Sequence, residues 1–401
     1  MKVLMVHNRY QQRGGEDSVV SAEVSLLVAN GIQVRRFDAD NDSIQSLRSK
    51  IHVSASQLGS PSVVKNKLAG VLAEFRPDLV HVHNWFPTIS ASVFRTCNQA
   101  RIPVVHTLHN YRLLCVTATL FRNGRVCEDC LGTTLRLPGV LHGCYRQSRA
   151  GSAIATVGML AHWAAGTWHN SVDRFIALSE FAKQKFVEGG LPADKIVVKP
   201  NFVDPDPQPG PGTGGYVLFV GRLTEEKGVR TLLNCWRGAP DLPQLKIAGT
   251  GPLENEVKEA VLSAGNIEWL GVKDTAEVLH LMSEAKATVC PSLWYEGMPR
   301  VVIESLAVGT PVVASDIGCY PEMIVDNRSG ILFEAGDAGA LRARIRQSIL
   351  KNSFAEMRYG ARLRFEAEYT GEKNLLHLQR VYRDVLYAGS MMQSAPVPAG
   401  T

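Results

Sequence analysis

The stretch Leu293-Trp294-Tyr295-Glu296-Gly297-Met298-Pro299-Arg300-Val301-Val302-Ile303-Glu304 carries two carboxylates at positions that folding alone would not choose. Glu296 stands between a pair of aromatics and Gly297, and Glu304 interrupts the apolar run Val301, Val302, Ile303, Leu306, Ala307, Val308. Pro299 suits the first position of a helix, where its fixed φ and missing N–H cost nothing. The preceding Ala287 to Cys290 has the length and apolarity of a short buried strand, so the unit reads as strand, loop, helix. Such a helix start directs backbone N–H groups and a partial positive charge outward. Two carboxylates beside an anion-binding helix end fit a ligand bearing both hydroxyls and phosphates, with the backbone around Gly297, Met298, Pro299 and Arg300 holding phosphate oxygens. An exposed Glu296 and an ordinary ion pair at Glu304 fit these twelve residues equally well.

The pattern around this stretch repeats. Apolar runs near 2–6, 32–37, 78–82, 102–107 and 173–178 alternate with helical segments, and so do runs near 216–220, 244–248, 266–270, 287–290 and 311–314. That alternation predicts parallel sheets covered on both faces. Ligands of such sheets bind at the carboxyl ends of the strands. At 401 residues the chain exceeds one ordinary core and predicts two domains. The segment from Pro200 to Gly212, with prolines at 205, 207, 209 and 211, reads as a semi-rigid linker. The expected division is a first domain over 1–199, a linker over 200–215 and a second domain over 216–371.

The Glu296-x7-Glu304 spacing, with Gly309-Thr310-Pro311-Val312-Val313-Ala314-Ser315 after it, resembles the retaining glycosyltransferases of family four. The resemblance extends over most of the chain. It implies the GT-B fold, an α/β architecture of two Rossmann-like domains facing a central cleft, with the final helix (372–388) packing back on the first domain. It also implies a nucleoside-diphosphate-sugar donor, no catalytic metal, and transfer to a hydroxyl acceptor. In the family the first glutamate contacts the donor sugar and the second the ribose diol.

Several loops acquire roles in that light. Gly14 and Gly15 precede a helix from about Ser18 to Ala29; alone they suit a tight turn, and the resemblance sets them against the donor phosphate. Asp17 is suited to capping that helix. His109 ends the run Pro103-Val104-Val105-His106-Thr107-Leu108, where the family keeps a histidine near the reacting sugar; His83 is the weaker candidate. Gly221-Arg222-Leu223-Thr224-Glu225-Glu226-Lys227-Gly228 matches the family's Gly-Arg-x4-Lys pattern, in which the two cations neutralise a diphosphate. A solvated ion-pair cluster is the plain alternative there. By the same resemblance Gly271 and Val272 border the base. Asp204-Pro205-Asp206 imitates a metal-binding string but falls in the linker.

Two further segments stand apart. Cys115, Cys127, Cys130 and Cys144 hold half of the eight cysteines in a spacing that suits either a structural zinc or four free thiols. Ala153 to Trp168 is apolar and follows Arg146 and Arg149, which suits a packed helix or an interfacial one attracted to anionic lipid. A net charge of +5 is too small to argue for nucleic acid. Neither a signal peptide nor a membrane-spanning run is evident, so the expected place is cytoplasmic, peripheral on the membrane face. The expected acceptor is a glycan or a lipid-linked glycan, in cell-envelope or exported polysaccharide synthesis. Epimerase or phosphorylase chemistry, or a non-catalytic nucleotide-binding subunit, are the rival readings. The end of the chain, 389–401, is small, polar and proline-containing, and a disordered tail is expected.

Overall fold

A computed structural model describes residues 1–9, 14–40 and 62–393. Two six-stranded sheets organise the described chain, and every pairing within them is parallel. The first holds β1 (Lys2–Arg9), β2 (Gln33–Asp40), β3 (Leu79–Asn84), β4 (Val104–Leu108), β7 (Arg174–Ala177) and β8 (Ile196–Val198), ordered 2-1-3-4-7-8. Between β4 and β7 lies a small antiparallel hairpin, β5 (Phe121–Arg122) and β6 (Arg125–Val126). The second sheet holds β9 (Tyr216–Val220), β10 (Gln244–Ala248), β11 (Ile267–Gly271), β12 (Ala287–Cys290), β13 (Val312–Ser315) and β14 (Gly330–Phe333), ordered 11-10-9-12-13-14. The ten strands expected from sequence are present, with ends shifted by a few residues. β8 and β14, of three and four residues, were not expected.

Each sheet is buried on both faces, which is why its strands read as continuous apolar runs rather than alternating ones. One face of the first sheet packs Leu4, Val6, Val80, Val82 and Phe175 with Trp85, Phe94 and Trp168. Its other face packs Val3, Met5, Leu79, Val105 and Ile176 against Val20 and Leu27 of the helix Gly15–Ala29. Leu378, Val381, Tyr382 and Val385 join that second cluster from the last helix, Gly371–Gln393, although it follows the second domain in sequence. The helix continues to Gln393, past the point where a tail was expected to begin; residues 394–401 lie outside the described residues.

The proline-rich linker is laid along the second domain. Gly210, Gly212 and Gly214 donate to the carbonyls of Val308, Ser283 and Glu284. The Arg358 guanidinium donates to the Gly210 carbonyl, and Arg362 forms a paired contact with Asp206 at 2.6 and 2.7 Å. Asp206 is therefore engaged in the linker's own anchorage and is not available as half of a metal-binding string.

The first domain buries an unusual number of imidazoles. His106, on β4, donates through Nδ1–H to the Val82 carbonyl and packs against Phe94 and Phe175. Burial pushes its pKa down to about 4. An unfolded histidine titrates near 6.5, so the unfolded chain takes up this proton first as pH falls. The stability linked to the neutral ring is full above pH 6.5 and is lost between there and about pH 4, a loss of roughly 3 kcal/mol from His106 alone. Thermal unfolding followed from pH 7.5 to pH 4.5 should show a falling melting temperature, and His106→Gln should flatten that slope. An equal slope in the variant would remove His106 from the account.

Candidate functional site

The loops at the carboxyl ends of the two sheets meet, and a glycine lies at one close approach. A Cβ built on Gly297 would stand 2.7 Å from the His109 carbonyl oxygen, so only a residue without one lets the second domain come this near. Nearby, a Cβ on Gly15 would lie 3.8 Å from Cβ of Arg300, which puts the glycine loop of the first domain beside the same helix start. Gly14 caps the helix Gly15–Ala29, its N–H donating to Asp17 Oδ2 at 2.9 Å, while Oδ1 of Asp17 lies 2.8 Å from His7 Nε2. Asp17, expected before the helix as its N-cap, is instead the third helical residue, because the helix begins at Gly15, and its carboxylate takes the N–H of the actual N-cap, Gly14. Gln11, Gln12 and Arg13, the preceding part of this loop, lie outside the described residues.

On the opposite wall, Lys227 and Glu296 come together. Lys227 Nζ donates to Glu296 Oε1 at 2.6 Å, and Ser292 Oγ donates to the same oxygen at 2.9 Å while contacting the Tyr320 hydroxyl at 2.9 Å. Burial would raise the Glu296 pKa, but the Lys227 charge and the hydrogen bonds outweigh it and hold the carboxyl below its usual value. Gly228 sets the lysine's position. With φ of +71° it starts the helix Val229–Trp236, and a Cβ there would lie 1.7 Å from the Pro291 carbonyl oxygen. Arg222 is a more open group, with its side chain 62% exposed and its guanidinium 3.3 Å from Glu226.

Glu304 sits one turn into the helix Arg300–Ala307, 2.8 Å from Arg300 Nε. Burial raises its pKa even against the Arg300 charge. The ordinary ion pair and the ligand-facing carboxylate were separate readings of the sequence; the pair is present, and it lies at the cleft. Pro299 is the N-cap residue, one position before the helical place expected of it. Met298 points the other way, because its thioether is packed in the second domain's core and accepts the Asn201 N–H at 3.2 Å. Its side chain therefore cannot serve a ligand. Gly271 and Val272 close a rim: Gly249 N–H donates to the Gly271 carbonyl, Gly221 N–H donates to Ala248, and Val272 is exposed.

Gly14 and Gly15, His109, Gly297 and Arg300 meet between the two domains, flanked by Glu304 and by Glu296 with its partner Lys227, while Arg222, Gly271 and Val272 lie on neighbouring loops joined through Gly221 and Gly249. The cysteine insert is different in outcome. All four thiols are free, and Gly139 joins two of them, with a Cβ there 3.5 Å from Cys130 Sγ and its carbonyl taking the Cys144 N–H. Yet among the described residues no three cysteine sulfurs lie within 4.8 Å of one another. The four thiols nonetheless share one neighbourhood, since Cys130 feels the charges of Cys115, Cys144 and Cys127; a zinc bound by thiolates at about 2.3 Å would draw such sulfurs to roughly 3.8 Å apart. The insert also reaches the second domain. Glu128 binds Lys185 at 3.0 Å and hydrogen-bonds Tyr295, beside Phe181.

Three features of the site escaped sequence reasoning. Glu322 of the second domain accepts the N–H groups of Glu180 and Phe181 at 2.8 and 2.5 Å, capping a first-domain helix across the cleft. Ser292 and Tyr320 brace Glu296. Glu23 is fully buried on the apolar stripe Val20, Glu23, Leu27. A carboxylate on an apolar stripe at helical spacing was the available signal for this third one.

With the geometry in view, comparison with known proteins defines the class. Sucrose-phosphate synthase of Thermosynechococcus elongatus superposes with a TM-score of 0.72 at 19% identity, covering 96% of this chain and 99% of that one. Anabaena HepE, solved with UDP, gives 0.65 at 17% identity, with coverage of 95% and 99%. The fold is that of the GT-B glycosyltransferases. Residues 8–207 match the family described as Glycosyltransferase Family 4, and residues 204–364 match Glycosyl transferases group 1. The chain belongs to the family-four glycosyltransferases. A phosphatidyl-myo-inositol mannosyltransferase of Mycobacterium leprae is 32% identical over 240 residues, 57% of this chain and 63% of that protein. A putative colanic acid biosynthesis glycosyltransferase, WcaL of Escherichia coli, is 29% identical over 189 residues, 43% and 47%. The matched part thus spans from about half to just under two-thirds of these relatives.

The Lys227–Glu296 pair makes a quantitative prediction. Lys227→Ala strands a buried carboxylate and should cost about 1–3 kcal/mol in chemical unfolding at pH 7. The double variant Lys227→Ala, Glu296→Gln should recover most of that loss. Additive losses in the double-variant cycle would mean the two groups are not coupled.

Proposed function

We propose that the cleft transfers a sugar from a nucleoside-diphosphate-sugar to a hydroxyl acceptor, with retention at the anomeric carbon. The observation that carries this reading is the Lys227–Glu296 contact at 2.6 Å, placed across the cleft from His109 by the close approach of Gly297. It puts a cation, a sugar-competent carboxylate and an imidazole around one volume. In the reaction the bond from the anomeric carbon to the diphosphate oxygen breaks, and a bond to the acceptor oxygen forms. The acceptor proton leaves with the diphosphate, whose oxygen sits on the same face. Charge grows on that leaving group. Lys227 supplies a point charge there, Arg222 a fork free to turn toward it, and the helix start at Arg300 its N–H groups. These are the tasks a divalent ion performs elsewhere, and the reading assigns no catalytic metal. Glu296 orients the sugar and Glu304 the ribose, as the spacing of the two glutamates suggests.

A lipid-linked acceptor is favoured by the surface near the insert. Leu135, Leu137, Leu141, Ile154 and Val157 are between 41% and 64% exposed, and four of them lie on the helices Leu137–Leu141 and Arg149–Ala164. From residue 131 to 172 the chain has no Asp or Glu, while Arg146 and Arg149 are exposed. An apolar patch with basic neighbours suits the surface of an anionic bilayer. No helix among the described residues is long and apolar enough to cross one.

Isothermal titration and initial rates test the cleft. Arg222→Ala and Lys227→Ala should weaken nucleoside diphosphate more than monophosphate, by about tenfold to a hundredfold, the equivalent of ~1.5–3 kcal/mol. Glu304→Gln should weaken both nucleotides. Glu296→Gln and His109→Ala should bind nucleoside diphosphate normally and turn over slowly. Diphosphate binding lost in Glu296→Gln as fully as in Lys227→Ala would refute the assignment of sugar and phosphate ends. For the surface, sedimentation should recover the protein with phosphatidylglycerol vesicles and not with phosphatidylcholine vesicles at low salt. Arg146→Glu with Arg149→Glu should abolish that difference, and equal partitioning of the wild type would refute the membrane reading.

A further inference from the structure

Behind His109 lies a chain of buried polar groups to which the transfer reaction assigns no role. His109 Nε2 is 2.8 Å from His83 Nδ1. His83 Nε2 is 3.1 Å from Glu23 Oε2, and the other oxygen of Glu23 is 3.0 Å from Lys199 Nζ. Lys199 in turn donates to Asn374 Oδ1 on the last helix. Glu23, His83 and Lys199 are each 3% exposed or less. The contacts of Glu23 are close ion-pair approaches rather than straight hydrogen bonds.

Glu23, His81 and His83 place three donor atoms within 4.8 Å of one another, a spacing a metal ion would accept. The imidazoles are already used, however. His81 meets the Tyr382 hydroxyl through Nδ1 and Thr107 Oγ1 through Nε2, each at 2.8 Å. His83 faces His109 on one side and Glu23 on the other, and the Lys199 ammonium occupies the position a second cation would need. The cluster is a relay of hydrogen bonds at its two ends and ion-pair contacts at Glu23.

The direction of that relay follows from charge. Burial alone would push Glu23 up, but Lys199 and His83 outweigh it and hold the carboxyl well below the usual range. A fixed anion beside Nε2 of His83 keeps the proton on that nitrogen. Burial lowers the pKa of His83 and of His109, so both rings are neutral near pH 7. A neutral ring carries one proton, which leaves Nδ1 of His83 as a lone pair. It can only accept, so His109 must donate through Nε2. The remaining nitrogen of His109, Nδ1, is then an acceptor. His83 and His109 line one concavity together with Asn84, Trp85, Asn110 and Arg112.

We infer that Glu23 and His83 are positioning residues that fix His109 as the Nε2–H tautomer, presenting Nδ1 to a donor or acceptor hydroxyl. Lys199 holds Glu23 ionised, and through Asn374 the last helix holds Lys199. The inference deepens the transfer reading and rests on it for the identity of the hydroxyl, but the tautomer itself does not depend on turnover. Glu23→Gln removes the anion and offers an amide N–H to Nε2 of His83. The proton of His83 then moves to Nδ1, and His109 must reverse to accept it.

Two-dimensional NMR correlating ring nitrogens and carbons of histidine-labelled, ligand-free protein reads this directly. Wild type should show His109, assigned by its loss in His109→Ala, protonated at Nε2. Glu23→Gln should show it protonated at Nδ1, with nucleoside-diphosphate affinity unchanged and turnover reduced roughly tenfold to a hundredfold, the usual effect of losing an orienting partner. Glu23→Gln combined with Lys199→Met removes the stranded ammonium, should be better folded, and should keep the reversed tautomer. His109 protonated at Nδ1 in wild type, or unchanged in both folded variants, overturns the inference. A reversed tautomer with no transferase activity in wild type would instead count against the reaction and leave the relay standing.

Discussion

A carboxylate with no access to water must be neutralised by partners or lose its charge, and Glu23 imposes that requirement on the first domain. Its partners come from distant parts of the chain. His83 ends β3, Lys199 follows β8 at the start of the linker, and Asn374 belongs to the last helix. One buried charge therefore records whether the first strands, the linker and the end of the chain have assembled together. Tyr382, bonded to His81 from the same helix, adds a neutral tie between the same parts.

That assembly bears on the cleft because His109 stands at its outer end. The imidazole is held from behind by His83, and its carbonyl is approached from the front by Gly297. The second domain contributes a matching arrangement, in which Lys227, Ser292 and Tyr320 support Glu296. In both walls a polar group at the cleft is braced by a second layer with little freedom. Such support keeps a polar site in place between binding events. Across the cleft the contacts are of another kind: the Glu322 cap on Glu180 and Phe181, and Glu128 against Tyr295. These are polar links at partly exposed groups, of the sort that can part and re-form when domains open and close.

The sequence by itself determined the two parallel sheets, the linker's place, and the loops that carry Gly14, His109, Arg222, Lys227, Glu296 and Glu304. Those features are local. Strand runs, prolines and a Gly-Arg-x4-Lys string are written in adjacent residues, and the backbone has few ways to satisfy them. Tertiary structure alone decided that Lys227 meets Glu296, that Met298 turns into the core, that the four cysteines of the insert come into one neighbourhood, and that Glu23 lies behind His109. Each of these is a distance between residues far apart in the chain or a choice between two faces of one element. No local propensity encodes such a distance. It is set by how closely two packed surfaces approach, and at Gly297 that approach is fixed by the absence of a single methyl group.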